Sequence, residues 1–311
     1  MEIYPLKKII VVCGPTGIGK TGFAIELARR FNGEIIGADS MQIYKYMDIG
    51  TAKPDNAERE LAPHHLIDFL EPDKEFDAGR YMEMADGAIN DICSRSKIPV
   101  VAGGTGFYIK ALLHGLFRDR NADVNVIARL EKEKEEKGSH FLHERLSILD
   151  PESAGRIHPN DGFRIVRALE VVEVTGSPIS TFQNQHGFSS QRYNPLEIAL
   201  CMDRSELYHR IEKRVDMMME QGFVDEVEWL IGKGYGCDLK SMQSIGYRHV
   251  CDLLHDRASI DDTVRLLKRD TRRYAKRQLT WFRQDREAIW LSPQETGKAE
   301  EIIKEFITGK Q

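Results

Sequence analysis

Residues 8–21 read Lys-Ile-Ile-Val-Val-Cys-Gly-Pro-Thr-Gly-Ile-Gly-Lys-Thr, and this stretch decides the fold. Its first half, Lys8 to Cys13, is a short β-branched run that predicts a buried strand. Its second half fits the pattern of a glycine, any four residues and then Gly-Lys-Thr, which joins a strand to a helix. In that position backbone N–H groups and the helix N-terminus converge on phosphate oxygens. We therefore predict a phosphate site between a strand and a helix.

Two side chains of this phosphate loop have predicted tasks of their own. Lys20 adds a positive charge, and the hydroxyl of Thr21 is predicted to bind Mg²⁺, the expected cofactor. The predicted phosphate-binding residues are the eight positions of the loop, namely Gly14, Pro15, Thr16, Gly17, Ile18, Gly19, Lys20 and Thr21. The loop alone does not say which phosphorylated compound it holds.

Strands and helices alternate through the first third of the chain. Glu34 to Ala38 and Pro99 to Ala102 predict two further short strands. Thr21 to Phe31 has helical periodicity, and another helix is expected around Arg80 to Ser94. Such alternation predicts an α/β fold, in which a phosphate-loop core has a parallel sheet flanked by helices.

The composition changes after Gly115. Arg129 to Lys137 is dense in mixed charge, which is typical of a solvated helix face, and Ser153 to Thr175 has a helical pattern. Leu196 to Met202 then predicts a strand that returns to the sheet. We therefore predict residues 1–118 as the first part of the core, 119–195 as an all-helical insertion domain, and 196–311 as the second part of the core with basic C-terminal helices.

Polar residues follow the second and third predicted strands. Asp39 follows the second, and the third ends in Ala102-Gly-Gly-Thr-Gly106, which contains Thr105. Because the carboxyl ends of parallel strands lie on one edge of a sheet, we expect the phosphate loop, Asp39 and Thr105 to face a single crevice. This combination suits phosphoryl transfer, and it equally suits any reaction in which diphosphate is the leaving group.

Composition limits the location and the partners of the chain. A formal net charge of -5 gives no global sign of a polyanionic partner, so any such partner must bind a local patch. No stretch approaches the roughly 20 apolar residues of a membrane span, and the N-terminus is no targeting signal. The five cysteines lack zinc or redox spacing and are expected to be buried apolar side chains. We expect a cytoplasmic monomer without a membrane partner.

The segment from Arg265 to Arg286 is strongly basic, with nine Lys and Arg residues against two acidic ones. Leu267, Tyr274 and Trp281 recur at seven-residue spacing and are predicted to form the buried stripe of a helix. Such an imbalance in an acidic protein favours an RNA-backbone surface over a merely solvated helix face. It leaves open which of these basic residues contact diphosphate instead of RNA.

Several stretches together resemble the family of tRNA dimethylallyltransferases. The strongest is Asp39-Ser-Met-Gln-Ile-Tyr-Lys-Tyr-Met-Asp-Ile-Gly-Thr-Ala-Lys-Pro54, which is similar to the second motif of that family. The other similar stretches are His64-His-Leu-Ile-Asp68, Gly103-Gly-Thr-Gly-Phe-Tyr108, Arg156-Ile-His-Pro-Asn-Asp161, Arg164-Ile-Val-Arg-Ala-Leu-Glu170, Gln243-Ser-Ile-Gly-Tyr-Arg248, Tyr274-Ala-Lys-Arg-Gln278 and Thr280-Trp-Phe-Arg283. They run in family order over nearly the whole chain, so the set is specific although a phosphate loop alone is not.

The resemblance implies a phosphate-loop core whose helical insertion grips the anticodon stem-loop of tRNA. It also implies dimethylallyl diphosphate as the donor, bound by the phosphate loop. The implied acceptor is the exocyclic amine of the adenosine just 3′ of the anticodon, in tRNAs that read codons beginning with U.

The resemblance also assigns roles residue by residue. It implies that Asp39 is the general base and Thr105 its hydroxyl partner. The implied tRNA contacts are Asp39, Ser40, Met41, Gln42, Phe163, Arg164, Ile165, Val166, Arg167, Gln243, Ser244, Ile245, Gly246, Tyr247 and Arg248. Ile127 departs from the family pattern, because bacterial relatives often have an RNA-contacting arginine there, and Arg129 lies close by. Ile18 stands where small residues are usual in the loop, with no expected cost to the backbone cradle.

Three alternatives stay open on the residues alone. A small-molecule or nucleotide kinase would need only the phosphate loop, and turnover of ATP without RNA would favour it. A non-catalytic RNA-binding module would explain the basic helix but would leave the phosphate loop without a purpose. A free adenine nucleotide as the prenyl acceptor is disfavoured, because the insertion and the basic helix exceed what so small an acceptor needs.

Overall fold

The computed structural model describes residues 6–116 and 123–309. The chain divides into two compact units, of which Met1–Leu113 with Arg192–Gln311 is the first and His114–Gln191 the second. The predicted boundary between residues 118 and 119 lies outside the described residues. The chain returns to the first unit at residue 192, whereas the sequence predicts 196. None of the described helices is both long and apolar enough to cross a membrane.

The elements follow one another in three stretches. The first consists of β1 (Lys8–Cys13), α1 (Lys20–Arg30), β2 (Gly33–Gly37), α2 (Asn56–Leu61), β3 (His64–His65), α3 (Ala78–Ser94), β4 (Ile98–Gly103) and α4 (Gly106–His114). The second consists of α5 (Val124–Lys137), α6 (Ser139–Leu149), α7 (Pro151–Arg156), α8 (Gly162–Thr175) and α9 (Ile179–His186). The third consists of β5 (Asn194–Leu200), α10 (Arg204–Glu220), α11 (Phe223–Gly232), α12 (Tyr247–Leu254), α13 (Ile260–Phe282), β6 (Ile289–Leu291) and α14 (Thr296–Thr308).

The strands of the first unit form one parallel sheet in the order β3-β2-β4-β1-β5-β6. On the central strand β1, Ile10 lies level with Val100 of β4 and with Leu196 of β5. Successive side chains of a strand point to opposite faces, and Ile10 and Val11 are both fully buried, so both faces of the sheet are covered. Strands buried on both faces read as unbroken apolar runs. The predicted α/β fold with a parallel, helix-flanked sheet is confirmed.

Two edge strands are absent from the sequence prediction. β3 has two residues and pairs with β2, and β6 has three residues and pairs with β5. Segments this short carry too few residues for a periodic pattern, so only their neighbours in the sheet define them as strands.

The second unit is helical throughout its described part. Its core includes the fully buried Leu130 of α5, Leu142 of α6 and Leu169 of α8. Leu130 is the one buried residue of α5, and charged pairs such as Lys137 with Glu133 lie on the surface of that helix. The charged run is therefore the solvated helix face that the sequence predicts.

The buried stripe of α13 differs from the predicted one. Leu267 is buried as expected, but Tyr274 is half-buried and Trp281 is 37% exposed. An α-helix has 3.6 residues per turn, so a strict seven-residue spacing drifts off one face by about 20° per repeat. The residues that α13 buries instead are Thr263, Leu267, Thr271, Ala275, Gln278 and Phe282.

Two of the five cysteines are joined, which corrects the expectation that all are unpaired apolar side chains. Cys237, in the turn after α11, forms a disulfide with Cys251 of α12. Cys13 is free and buried, while Cys93 and Cys201 are free and half-buried. The pair has no short motif spacing, because its partners become neighbours only when the turn folds against α12.

The chain leaves the first unit and returns to it at adjacent points. The backbone nitrogen of Arg192 donates a hydrogen bond to the carbonyl oxygen of Leu113 at 2.9 Å. The Arg192 guanidinium also donates to the carbonyl oxygen of Leu112 at 2.8 Å. The first unit therefore closes on itself where the second is inserted.

Candidate functional site

The phosphate loop follows β1 and opens α1, as the sequence predicts. Gly17 and Gly19 adopt positive φ angles of 81° and 102°, which L side chains rarely adopt. A Cβ atom on Gly17 would also lie 2.8 Å from the side chain of Ile211 in α10. Ile18 is fully buried in the core, so its bulk points away from the surface of the loop. The unusual isoleucine therefore leaves the backbone cradle intact.

Lys20 is half-buried and folds back over the loop. Its Nζ donates a hydrogen bond to the carbonyl oxygen of Pro15 at 2.9 Å. Burial lowers the pKa of Lys20 to about 8, and the positive charge of Arg214 adds to this effect while the negative charge of Asp39 opposes it. The ammonium group is therefore costly to keep charged until an anion arrives beside it.

Two arginines of α10 face the phosphate loop, and the sequence analysis missed both. Arg214 donates a hydrogen bond to the hydroxyl of Thr16 at 2.9 Å, and Arg210 lies beside Gly19. Their spacing of four residues puts both on one helix face. Burial lowers the pKa of the Arg214 guanidinium, an effect that the charge of Asp39 opposes. The Arg-x-x-x-Arg spacing in the helix after β5 is visible in the sequence. Only the fold shows that these two arginines face the phosphate loop.

Asp39 and Thr105 follow the neighbouring strands β2 and β4, as predicted. Asp39 Oδ1 accepts hydrogen bonds from the backbone nitrogens of Met41 at 2.9 Å and Gln42 at 3.4 Å. Thr105 Oγ1 accepts one from the backbone nitrogen of Ser40 at 2.9 Å. Within the described parts of the chain, Asp39 Oδ2 has no hydrogen-bond partner. The carboxylate is thus fixed through one oxygen and leaves the other for a ligand.

A cavity of about 830 Å³ joins the phosphate loop to Asp39. Asp39, Lys20 and Thr21 line it, whereas Thr105 does not and instead accepts a hydrogen bond from Ser40, the residue after Asp39. The phosphate loop and Asp39 therefore line one cavity, as expected, whereas Thr105 lies behind the turn that follows Asp39. The apolar part of the wall consists of Ala24, Ile35, Ile49, Ala52, Pro54, Ile67, Ala102, Met217 and Met218.

Lys53 lies in the wall of this cavity and is hydrogen-bonded to its neighbours there. Its side chain is buried, and Nζ donates to Asp48 at 2.6 Å, to Asp68 at 2.8 Å and to the carbonyl oxygen of Tyr44 at 2.6 Å. A buried ammonium is stable only when its donors are satisfied by such partners. This network fixes the loop that carries Gln42, whose Nε2 donates to the carbonyl oxygen of Ala52 at 3.0 Å.

The segment of α8 that is predicted to contact RNA contains both exposed and buried residues. Phe163 is 70% exposed, and the exposed Arg164 pairs with Asp161 at its own helix start. Ile165 and Val166 are buried in the apolar core of the helical unit. A side-chain contact from these two residues to RNA is incompatible with that burial, because helical periodicity turns them inward. Arg167 is half-buried and pairs with Glu170.

The second predicted RNA segment, residues 243–248, also has buried members. Gln243 is exposed, and Ser244, Ile245 and Arg248 are half-buried. Gly246 is buried, and Tyr247 is 1% exposed, with its hydroxyl donating to Glu226 at 2.6 Å. The Tyr247 side chain is part of the core, so an RNA contact at this position, which stays a prediction, would involve its backbone.

Ile127 departs from the family pattern, and the structure accounts for this residue by its local packing. It lies on α5 and packs against the core of the helical unit. The neighbouring Arg129 is exposed and pairs with Glu173 of α8. Ile127 therefore has a packing role in this chain.

Many basic residues of α13 are paired with acids. Lys268 pairs with Asp216 and Arg272 with Glu212, and Asp270 accepts from both Arg269 and Arg248. These arginines and lysines hold α10, α12 and α13 together. The more exposed basic residues of the helix are Arg265, Arg273, Lys276 and Arg277.

The comparisons with known proteins agree on one family. Residues 42–285 match the family model described as IPP transferase, and residues 7–72 match one described as isopentenyl transferase. The chain is 53% identical over 301 residues to "tRNA dimethylallyltransferase" of Desulfosudis oleivorans, covering 96% of each. It is 48% identical over 300 residues to the protein of that name from Acetivibrio thermocellus, again covering 96% of each.

Solved structures give the same result. A tRNA isopentenylpyrophosphate transferase from Bacillus halodurans has a TM-score of 0.71 at 39% identity, with 96% of each chain covered. A eukaryotic dimethylallyltransferase acting on tRNA has a TM-score of 0.83 at 30% identity, with 98% of this chain and 80% of the other covered. The match of family model, sequence and fold over nearly the whole length means that this chain belongs to the IPP transferase family.

Proposed function

We propose that this protein transfers the dimethylallyl group of dimethylallyl diphosphate to tRNA. The acceptor is the exocyclic amine of the adenosine immediately 3′ of the anticodon, in tRNAs that read codons beginning with U. The observation that supports this most directly is the single cavity lined by both the phosphate loop and Asp39, in a chain of this family. The tRNA dimethylallyltransferases to which the chain is about half identical support the choice of donor and acceptor.

The diphosphate of the donor binds at the phosphate loop. Backbone N–H groups and the N-terminus of α1 face its oxygens, while Lys20, Arg210 and Arg214 supply positive charge. The hydroxyl of Thr21 lines the same cavity and is an oxygen donor of the kind that Mg²⁺ prefers. Bound there, Mg²⁺ would help to neutralise the charge of the leaving diphosphate.

The prenyl group lies against the apolar wall. Ile49, Met217 and Met218 line the cavity and offer methyl and thioether surface to a branched five-carbon chain. Burial of this chain keeps water away from the allylic carbon as it becomes positively charged, so transfer to the amine wins over hydrolysis.

Asp39 acts as the general base. The adenine amine is a poor nucleophile because its lone pair is delocalised into the ring, and loss of a proton as the bond forms raises its reactivity. The new bond joins this nitrogen to the allylic carbon, the carbon–oxygen bond to diphosphate breaks, and the proton passes to Asp39 Oδ2. Thr105 positions this carboxylate, since its hydroxyl accepts from Ser40 N–H and so fixes the turn that follows Asp39.

The remaining contacts are to RNA. The exposed residues Phe163 and Arg164 of the helical unit suit an anticodon stem-loop, whose unpaired bases stack on aromatic rings. Gln243 and Arg248 are the accessible members of their segment, and the basic α13 suits the phosphate backbone. We propose that the enzyme works in the cytoplasm as a monomer.

Labelled dimethylallyl diphosphate tests the proposal. The protein is incubated with donor, Mg²⁺ and a synthetic anticodon stem-loop, and a matched stem-loop with guanosine in place of the adenosine 3′ of the anticodon is the control. Label should enter only the first, and digestion should yield N6-dimethylallyladenosine. Transfer to free AMP in preference to RNA would instead indicate an enzyme that prenylates adenine nucleotides. ATP turnover without RNA would indicate a kinase.

A further inference from the structure

The Cys237–Cys251 disulfide closes a loop around residues 243–248, one of the segments proposed above to contact RNA. Residues 238–246 form turns without a helix or strand, and α12 begins at Tyr247. Gln243 and Arg248, the accessible members of that segment, both lie between the two cysteines. We propose that this disulfide is a redox-controlled site whose opening weakens tRNA binding, an inference that rests on the proposed function.

One cysteine is linked directly to the RNA-facing side chain. Gln243 Nε2 donates a hydrogen bond to the carbonyl oxygen of Cys237 at 2.6 Å. The orientation of the Gln243 amide therefore depends on where the backbone of Cys237 is held. The disulfide ties that backbone to Cys251, which is 4% exposed and packed in the core with Tyr247 and Val250.

Parts of the bracketed segment are anchored in other ways, and Leu239 and Ile245 pack against the core. Met242 is fully buried, and the hydroxyl of Ser241 donates to the carbonyl oxygen of Pro72 at 2.7 Å. The buried hydroxyl of Ser244, in contrast, has no hydrogen-bond partner among the described residues. A buried hydroxyl without a partner favours conformations that let water reach it. The segment thus has a reason to rearrange once the covalent link is removed.

The two sulfurs differ in accessibility, which sets the direction of attack. Cys237 is half-exposed, whereas Cys251 is buried. A thiolate of a dithiol reductant attacks Cys237 Sγ, the Cys237–Cys251 bond breaks, and Cys251 leaves as a thiolate that takes up a proton. The second thiol of the reductant then attacks the mixed disulfide and releases Cys237 as a thiol. The dithiol loses two electrons to the protein and becomes a cyclic disulfide, and a small-molecule disulfide such as oxidised glutathione reverses the exchange.

Opening the bond acts on RNA and not on the donor. Neither cysteine is among the residues that line the donor cavity. A freed Cys237 lets the turn that carries Gln243 move, so an RNA that needs this turn in place binds less well. The oxidised protein is therefore the form with high RNA affinity.

Thiol mapping tests the bond itself without any substrate. The full-length protein is equilibrated with oxidised or reduced glutathione, alkylated in denaturant, digested and analysed by mass spectrometry. In the oxidised sample we expect label on Cys13, Cys93 and Cys201 only, and in the reduced sample on all five cysteines. Hydrogen exchange of residues 238–250 should be faster in the reduced protein. Label on Cys237 and Cys251 under oxidising conditions would overturn the proposal.

Binding to an anticodon stem-loop tests the consequence. Reduction, or the variant Cys237→Ser under either condition, should weaken RNA affinity by at least about fivefold, which is the lower range for coupling between two sites. The KM for dimethylallyl diphosphate should stay the same. Cys93→Ser removes a free half-buried thiol elsewhere, and it should keep the redox response that Cys237→Ser loses.

The two proposals fail in different ways. Absence of prenyl transfer in both redox states would refute the proposed function. Equal RNA affinity of the oxidised protein, the reduced protein and Cys237→Ser, in samples that transfer the prenyl group, would overturn the redox site alone.

Discussion

The side-chain oxygen of Gln278 accepts a hydrogen bond from the backbone nitrogen of Thr16 at 2.8 Å. The amide nitrogen of the same side chain donates to the carbonyl oxygen of Gly104, also at 2.8 Å. Gln278 is buried in α13, so the buried carbonyl of Gly104 depends on it and not on water, while Thr16 is part-buried beside the cavity. One amide therefore ties the phosphate loop to the turn that carries Thr105.

Replacement of Gln278 by methionine should destabilise the protein by about 2 kcal/mol or more. The change keeps the volume but leaves the buried carbonyl of Gly104 without a partner, at about 1–3 kcal/mol, and removes the hydrogen bond to the part-buried N–H of Thr16. Urea denaturation measures the loss. Gln284→Met, at an exposed position just after the same helix, is the matched control, and equal midpoints for the two variants would contradict the role of Gln278.

Donor binding should weaken as the pH rises through about 8. The pKa of Lys20 is lowered to about 8 by burial, so Nζ carries its positive charge below this pH and loses it above. The ratio kcat/KM for the donor reports the free enzyme and should therefore fall on the alkaline side. Lys20→Arg keeps the charge and should remove this decline. Lys20→Ala should lower kcat/KM at neutral pH at least about tenfold, since it removes a charge-assisted contact of roughly 1.5–3 kcal/mol.

Asp39→Asn should slow transfer by about 10²–10⁴-fold, the range expected for loss of a positioned general base. The variant should still bind tRNA. The amide oxygen can still accept from Met41 and Gln42 N–H, so the turn should keep its shape and thermal stability. Single-turnover rates at saturating tRNA and donor measure the effect. A rate within about threefold of the wild type would remove Asp39 from the mechanism, and rescue by high Mg²⁺ would make it a metal ligand instead.

Arg214→Ala should raise the KM for the donor about tenfold with little effect on the KM for tRNA. It removes the hydrogen bond to Thr16 and a positive charge beside the phosphate loop, worth roughly 1.5–3 kcal/mol for a charged partner. Arg204→Ala removes an exposed charge from the same helix, where the guanidinium lies over the ring of Tyr208. If both variants changed the KM for the donor equally, the contact between Arg214 and Thr16 would not contribute specifically to donor binding.

Charge reversal on the exposed face of α13 should weaken tRNA binding and flatten its salt dependence. Arg273 and Lys276 are better targets than Arg272, which is already engaged with Glu212. Each lost phosphate contact should reduce the slope of log K against log salt by about 0.7–0.9. Lys298→Glu, on α14, makes the same change of net charge as a control. Unchanged slopes at Arg273 and Lys276 would leave that face as a solvated surface.

The sequence was sufficient for the frame of the site. β-branched runs mark β1, β2 and β4, and the rule that parallel strands share a carboxyl edge brings Asp39 toward the phosphate loop. These inferences need only local patterns and one topological rule. The edge strand β6 was missed, because three residues produce no pattern of their own.

The rest depended on tertiary neighbours. Arg214 reads as an ordinary helix-surface arginine until β5 is placed beside β1, which turns α10 toward Thr16. The Cys237–Cys251 pair likewise has no signature at its spacing. Trp281 was assigned to the core through a seven-residue repeat, whereas the helix follows a period of 3.6 and carries it to the surface.

The hydrogen bond between Arg192 and Leu113 also bears on how the sheet is assembled. β1 must pair with β5, which lies far along the chain on the other side of the insertion. An unstructured connection of that length would make the search for this pairing costly in entropy, a cost that grows with the logarithm of the number of free residues. If the insertion folds first through its own short-range helical contacts, the two parts of the first unit are joined only by the short link between Leu113 and Arg192. Because Arg210, Arg214 and Met218 of α10 line the donor cavity, that cavity is complete only once the chain on the far side of the insertion has joined the first unit.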